Sequence, residues 1–342
     1  MRKFLRQSAL CIGIVAVSVG VVRAKSGKAL RIYFIDVEGG QSTLIVTPSK
    51  QSLLIDAGWA GTRDPDRILA AASEAGIKQI DYLVVTHYHG DHAGGVSQLA
   101  ERIPIRNFID HGPDIEDSAT AKDLYAAYEK TTAKGKHAVV RPADGLPLKD
   151  VQVEFVSAAG DHLRDPLPGA GVANPYCDVE KDVPDDATEN SQSLGMLITY
   201  GEFRFLDVGD LTEKKELELV CPNNLIGAVS LYLSAHHGLA PDNPKALVWA
   251  IHPMVAIMNN GAHKGGSPES WQIVHDSPDL QGFWQMHYAE DAGQEHNVAE
   301  SFIANVDEKS DGNLIEVLAN SDGTFEVRNS RNHYSHMYKG PR

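Results

Sequence analysis

The stretch Thr86-His87-Tyr88-His89-Gly90-Asp91-His92 constrains this chain more than any other. It follows the apolar run Tyr82-Leu83-Val84-Val85, which reads as a buried strand, and runs into Ala93-Gly94-Gly95. A strand that empties into a tight loop carrying three imidazoles and a carboxylate gathers ligating groups where the backbone can aim them at one point. Imidazole nitrogens and carboxylate oxygens suit zinc, manganese or iron. His87 and His89 alternate about Tyr88, so their rings project to one side of an extended segment, while Asp91 and His92 lie past Gly90, where the chain turns. Such an arrangement can serve two metals rather than one. A histidine-rich surface turn is the plainer alternative, but such turns rarely stand behind a buried strand.

Two later stretches repeat the theme of acidic or imidazole groups at strand ends. Met196–Tyr200 and Glu202–Val208 read as a hairpin through Gly201, with Asp207-Val208-Gly209-Asp210 at its exit. Ala228–Leu233 reads as a buried strand that delivers Ala235-His236-His237-Gly238. A plain turn is the alternative for the second pair.

Together, His87-x-His89-x-Asp91-His92 and these strand ends resemble the metallo-β-lactamase superfamily of hydrolases, and in particular its ComEC-like subgroup. Tyr33-Phe34-Ile35-Asp36-Val37, Leu53-Leu54-Ile55-Asp56-Ala57-Gly58 and Glu189-Asn190-Ser191-Gln192-Ser193-Leu194 support that subgroup; the resemblance covers roughly residues 30 to 290. It implies an α/β fold, a four-layer αββα sandwich, and two divalent metal ions, zinc first and manganese second. His87 and His89 would hold one ion, Asp91, His92 and His237 the other, and Asp210 both. The sequence alone leaves the order of His236 and His237 open: His237 is assigned as ligand and His236 as a substrate-facing group. Asp56 would support the metal loop from behind, or merely cap a turn. A water shared by two ions is brought toward neutral pKa and supplies hydroxide, so no Ser or Cys nucleophile is required. Asp91, Asp210 and His236 are the expected catalytic groups.

The chain also departs from the family pattern. Gln41 stands where relatives carry an aspartate, Asn190 stands where many members place a histidine ligand, and Ser267 stands where relatives often have His before Pro268. Asn190 is expected either to orient substrate or to hold its loop. His263 or Lys264 would supply the missing polar contact, with a plain Gly-rich turn as the alternative.

The chain begins with a targeting segment: Arg2, Lys3 and Arg6, an apolar run from Ala9 to Val22, and Val22-Arg23-Ala24 for cleavage. Residues 1–24 are expected to be removed, and residues 25–342 to form a single hydrolase domain. A retained membrane anchor is the alternative, but the run is shorter than a membrane span requires and closes on Arg23; a periplasmic or secreted location is expected, with no stable span after removal. Cys177 and Cys221 then remain, and an oxidising compartment permits their disulfide. A buried thiol at Cys221 is the alternative.

Elsewhere the pattern reads as helices at Asp64–Ala75, Ala119–Thr132, Thr212–Leu219, Asp242–His252 and Ser267–His275, with a closing hairpin at Asn313–Leu318 and Thr324–Val327. Gly94 and Gly95 let the backbone approach closely. Residues 158–190 carry four prolines, several glycines and many aspartates without apolar periodicity; they read as a long loop forming a substrate-facing wall. Residues 329–342 read as a polar tail.

Charge narrows the substrate. The chain has 31 basic and 46 acidic residues; residues 1–24 hold four of the basic and none of the acidic ones, leaving 27 against 46, a formal charge of −19. Such a surface repels long polyphosphates. Lys214-Lys215 is flanked by Glu213 and Glu216, which would cancel its charge. The ComEC-like resemblance implies a phosphodiester, and the charge restricts it to a small or exposed one rather than long duplex nucleic acid. A lactone or β-lactam type ester or amide is the alternative substrate, and a metal-binding protein without turnover is the alternative class.

Overall fold

The computed structural model describes residues 29–178, 183–184 and 186–340; the expected targeting segment lies outside them. Two nine-stranded sheets stack face to face. The first runs, in spatial order, Ser335–Tyr338, Phe325–Asn329, Ile315–Ala319, Leu30–Phe34, Thr43–Val46, Ser52–Ile55, Ile80–Val84, Ile105–Asp110 and Lys136–Val139. The second runs Ile303–Asn305, Gly282–His287, Val255–Met258, Leu231–Leu233, Phe203–Asp207, Gly195–Tyr200, Gln152–Ala158 and Gly145–Leu146, with Asp161–His162 paired beside Gln152–Ala158.

Three apolar layers account for the stacking. Alternate residues of both sheets, among them Ile32, Phe34, Phe155, Phe205, Trp284 and Val317, fill the space between the sheets. The other face of the first sheet packs on the helices Arg63–Ala75, Val96–Ala100 and Ala119–Thr132 through Ile68, Ala72, Leu99 and Tyr128. The outer face of the second sheet packs on Glu213–Val220, Lys245–Ala250 and Pro268–His275 through Leu219, Leu247 and Trp271. Helix, sheet, sheet, helix is the expected αββα sandwich.

The parallel strands position the site. Ser52–Ile55, Ile80–Val84 and Ile105–Asp110 run parallel in the first sheet, and Phe203–Asp207 through Gly282–His287 run parallel in the second. Their carboxyl ends open on the same edge of the sandwich, as ligand loops do in parallel sheets. Asp36 and His287 tie the sheets together there at 2.7 Å, both buried. Arg67 adds a second partner to the Asp36 carboxylate at 3.0 Å. Although burial works against ionisation, His287 and Arg67 hold Asp36 below the usual carboxylate range.

Several elements differ from expectation. The helix expected at Asp242–His252 is only Lys245–Ala250, because Asp242 and Asn243 are taken up in caps: Asp242 accepts Glu213 N and Asn243 N donates to Glu216. The strand before His236 shortens to Leu231–Leu233. The polar tail contains the strand Ser335–Tyr338, in which buried Tyr338 accepts a hydrogen bond from Trp284 Nε1 at 3.1 Å. Cys177 and Cys221 are joined by a disulfide. Residues 167–174 of the long loop run along Pro222–Leu225 rather than lining the metal edge, through Leu167 N to Leu225 O, Gly171 N to Asn224 O and Asn174 N to Pro222 O. Finally, Glu213 and Glu216 are turned inward and buried, and Lys215 pairs instead with Glu218 at 3.0 Å.

Candidate metal centre

Ile80–Val84 runs out through Val85 and Thr86, and the ligand-bearing loop then closes into the short helix Gly90–Ala93. Close packing of this turn explains Gly94 and Gly95: a Cβ on Gly94 would stand 2.1 Å from Gly90 O, and one on Gly95 2.1 Å from Ala57 O. Asp91 O accepts Gln41 N at 3.1 Å, which ties the loop to the first sheet.

Asp91, His92, Asp210 and His237 converge, with one ligand atom from each lying within 4.8 Å of all the others, and all four are buried. His237 Nε2 is 3.1 Å from Asp91 Oδ2 and 3.2 Å from Asp210 Oδ2. His92 Nε2 is 3.2 Å from Asp210 Oδ1 and 3.3 Å from His237 Nε2. Asp210 reaches this point from beyond Gly209 at the end of Phe203–Asp207. His236 and His237 both adopt left-handed backbone conformations, φ 48° and 56°; such strain in non-glycine residues is typical of functional sites. The twist separates the two rings. His237 turns into the cluster, whereas His236 sets Nδ1 on Asp242 at 2.5 Å and Nε2 at 3.3 Å from Asn190 and 3.5 Å from Asp210.

The second cluster expected from the sequence is only partly gathered. His87 Nε2 is buried without a hydrogen-bond partner and stands 4.0 Å from Asp210 Oδ2. His89 stacks edge-on to His87 with centroids 4.7 Å apart, but its Nε2 faces Glu116 at 3.2 Å and does not join the converging atoms. His263 is likewise directed elsewhere: it is exposed and sits on Asp291 at 3.2 Å, because the loop after Asn260 turns its side chain outward. Lys264 does reach the site, where its ammonium pairs with Asp91.

Electrostatics favour a cation here. Burial alone disfavours an imidazolium at His92, yet Asp210, Asp91 and Asp56 outweigh it and hold its pKa well above the ordinary histidine value. Burial opposes ionisation of Asp210 and Asp91 too, but the imidazoles of His237 and His92 hold both well below the usual carboxylate range. For His87, burial and the charge of His92 push the pKa well down, leaving a neutral ring. Two carboxylates thus demand positive charge, and a buried neutral nitrogen lacks a donor; a divalent ion satisfies both.

Supporting groups complete the site. Asp56 accepts Thr86 N and Thr86 Oγ1, and faces His92 Nδ1 at 2.8 Å. Gln41, at the position of the family aspartate, instead donates from Nε2 to both oxygens of buried Asp207 at 3.1 and 3.0 Å. Burial raises the Asp207 pKa to about 7. Three contributors escaped sequence reasoning. Glu189 is fully buried and accepts Tyr88 N and His111 Nε2, bracing the loop between His87 and His89; its place beside Asn190 was the available signal. Asp242 orients His236, and Glu116 holds His89. Neither stands in a motif.

Residues 35–183 match the family described as the metallo-beta-lactamase superfamily. The chain is 25% identical to ComE operon protein 3 of Bacillus subtilis over 244 residues, 66% of this chain and 28% of that protein, so it spans under a third of that relative's length. Through residues 35–183 the chain is similar to the metallo-β-lactamase superfamily of metal-dependent hydrolases. Within it, the chain resembles the ComEC-like branch. Among solved structures it is similar to the metallo-β-lactamase fold protein YhfI of Bacillus subtilis, at 12% identity and a TM-score of 0.45 over 75% of this chain and 95% of that one. It is also similar to Tm1679, a metal-dependent hydrolase of the β-lactamase superfamily, at 13% identity and a TM-score of 0.44 over 76% of this chain and 96% of that one.

Proposed function

We propose that the protein is a binuclear phosphodiesterase acting on a small or exposed phosphodiester. The observation that carries metal-assisted hydrolysis is the buried convergence of Asp91, His92, Asp210 and His237. The ComEC-like resemblance points to the diester. In this reading Asp91, His92 and His237 hold one ion, His87 and His89 the other, and Asp210 faces both. For His89 this requires its ring to leave Glu116. Divalent ions, zinc first and manganese second, would supply Lewis acidity and a water of lowered pKa.

The remaining steps belong to the chain. Asp242 accepts from Nδ1 of His236 and fixes its ring, so that Nε2 is turned toward the reacting group beside Asn190. Asn190 offers its amide to the same region and orients substrate. Lys264 brings a positive charge to the rim, where it balances the anionic diester once a metal meets Asp91. Asp56 and Glu189 keep the loop in place and touch no substrate.

The test is hydrolysis of bis(4-nitrophenyl) phosphate, a lactone and a cephalosporin by the mature protein, with metal content measured alongside. The diester should be turned over in a metal-dependent way, nearly independently of salt. A duplex-binding enzyme contacting roughly six to ten phosphates would lose about three to five decades of affinity between low and moderate salt. Rapid, steeply salt-dependent nicking of plasmid DNA would overturn the restriction to small substrates. Turnover of the lactone or cephalosporin alone would overturn the diester, and stoichiometric metal without any turnover would leave a binding protein.

A further inference from the structure

Among the described residues, Trp59 is the one exposed large aromatic side chain, at 38%. It lies between the strand Ser52–Ile55 and the helix Arg63–Ala75, and its backbone N–H donates to the buried Asp64 carboxylate at 2.8 Å, which fixes the turn. The ring stands at the mouth of the metal centre. A Cβ built on Gly90, the residue between His89 and Asp91, would lie 3.9 Å from Cε3 and Cζ3 of Trp59. The Lys264 ammonium that pairs with Asp91 sits 5.0 Å from the same ring's centroid. One lysine therefore touches both a metal-facing carboxylate and the aromatic ring.

Beside the ring opens a cavity of about 470 Å³ lined by Glu38, Trp59, Ala60, Thr62, Arg63 and Asp64. The volume suits a small-molecule substituent. The one cation along it, Arg63, is already paired with the two carboxylates Glu38 and Asp64, so the cavity offers no free positive charge to an anionic group. What it offers is an aromatic face with hydrogen-bonding groups at its edge. Stacking on such a face is tolerant of ring identity and selects for planarity.

We propose that Trp59 and this cavity form a subsite for a planar aromatic group, a nucleobase or aryl ring, carried by the phosphodiester on the side opposite its leaving group, with Lys264 set between that ring and the phosphoryl centre. This rests on the phosphodiester reading above. The subsite joins the small-substrate restriction to a chemical class: mononucleotide-sized diesters are preferred over alkyl ones.

The experiment uses the metal-loaded full chain and two diesters with the same 4-nitrophenolate leaving group, one carrying thymidine and the other methyl. Wild type should prefer the thymidine ester in kcat/KM, and Trp59→Ala should lower kcat/KM on that ester about tenfold, with a much smaller loss on the methyl ester. Trp59→Phe should stay within about threefold of wild type. Equal losses on both esters, or no loss on the thymidine ester, would overturn the subsite. If wild type cleaves neither ester, the phosphodiester reading fails, and the subsite is judged by binding. Equilibrium dialysis with thymidine monophosphate should then show binding to wild type that Trp59→Ala weakens about tenfold. Absent or equal binding would overturn the proposal.

Discussion

Oδ2 of Asp56 lies 2.8 Å from Nδ1 of His92 with both side chains fully buried, so the ring that turns Nε2 to the metal centre is gripped from its far side. Groups in this position orient the imidazole and raise its basicity, and their loss commonly costs 10- to 100-fold in metal affinity. Asp56→Asn should weaken zinc binding by about that factor, read by chelator competition. The asparagine tolerates the left-handed backbone at this position, φ 58°, so the fold should survive. Unchanged affinity would show that Thr86 and loop packing alone hold His92.

In the proposed binuclear site Asp210 is the carboxylate shared by both ions. Asp210→Ala should reduce bound metal below one ion per chain, whereas His89→Ala should remove one ion and leave the other. Elemental analysis after reconstitution with zinc or manganese checks both. Wild type binding less than one ion per chain would refute the binuclear assignment.

The Asp207 carboxyl provides a stability test. Its pKa is raised to about 7 in the folded protein, against an ordinary value of 3.8. Between those values the native state binds a proton that the unfolded chain has released. Stability therefore declines as pH rises from about 4 to about 7, with a limiting slope of about 1.4 kcal/mol per pH unit. Asp207→Asn abolishes this term, so its stability relative to wild type should improve by a few kcal/mol between pH 5 and pH 8. Denaturant midpoints of metal-free protein at both pH values provide the check; parallel curves would refute it.

The basic and apolar start of the sequence makes a claim about location. Protein recovered from the envelope or medium should begin near Lys25, as amino-terminal sequencing would show. The Cys177–Cys221 bridge closes a 44-residue separation and in such a compartment should contribute about 2 to 4 kcal/mol. Intact Met1 in a cytosolic fraction would defeat the location.

Residues whose partners are local in sequence were legible before any coordinates. His87 to His92 follow one strand directly, and Asp210 follows another by three positions, so candidate ligands could be picked out at strand ends, while their assignment to ions came from the resemblance. The choice between His236 and His237 was not legible, because two successive left-handed residues decide which ring turns inward. Nor was the direction of His89, set by Glu116 at 27 positions' remove, or that of His263, set by Asp291. Ser335–Tyr338 hid for another reason: it is an edge strand with three exposed residues, Met337 among them, and only Tyr338 is buried. The four-layer arrangement was available only through resemblance; strand periodicity predicts sheets but not their stacking.

The strand Leu30–Phe34 occupies the middle of its sheet, paired on one side with Thr43–Val46 and on the other with Ile315–Ala319. Arg31 bonds to Glu316 across 285 positions. During synthesis the amino-terminal half can therefore assemble its local strands, yet a wide, apolar edge of Leu30–Phe34 stays unpaired until nearly all of the described chain has emerged. Long-range pairing of this kind slows folding, and an open edge invites a neighbouring chain to complete it. A fragment ending before Ile315 would thus retain every candidate ligand and still associate with itself, since the sheet that carries His87 to His92 is closed by residues that come almost last.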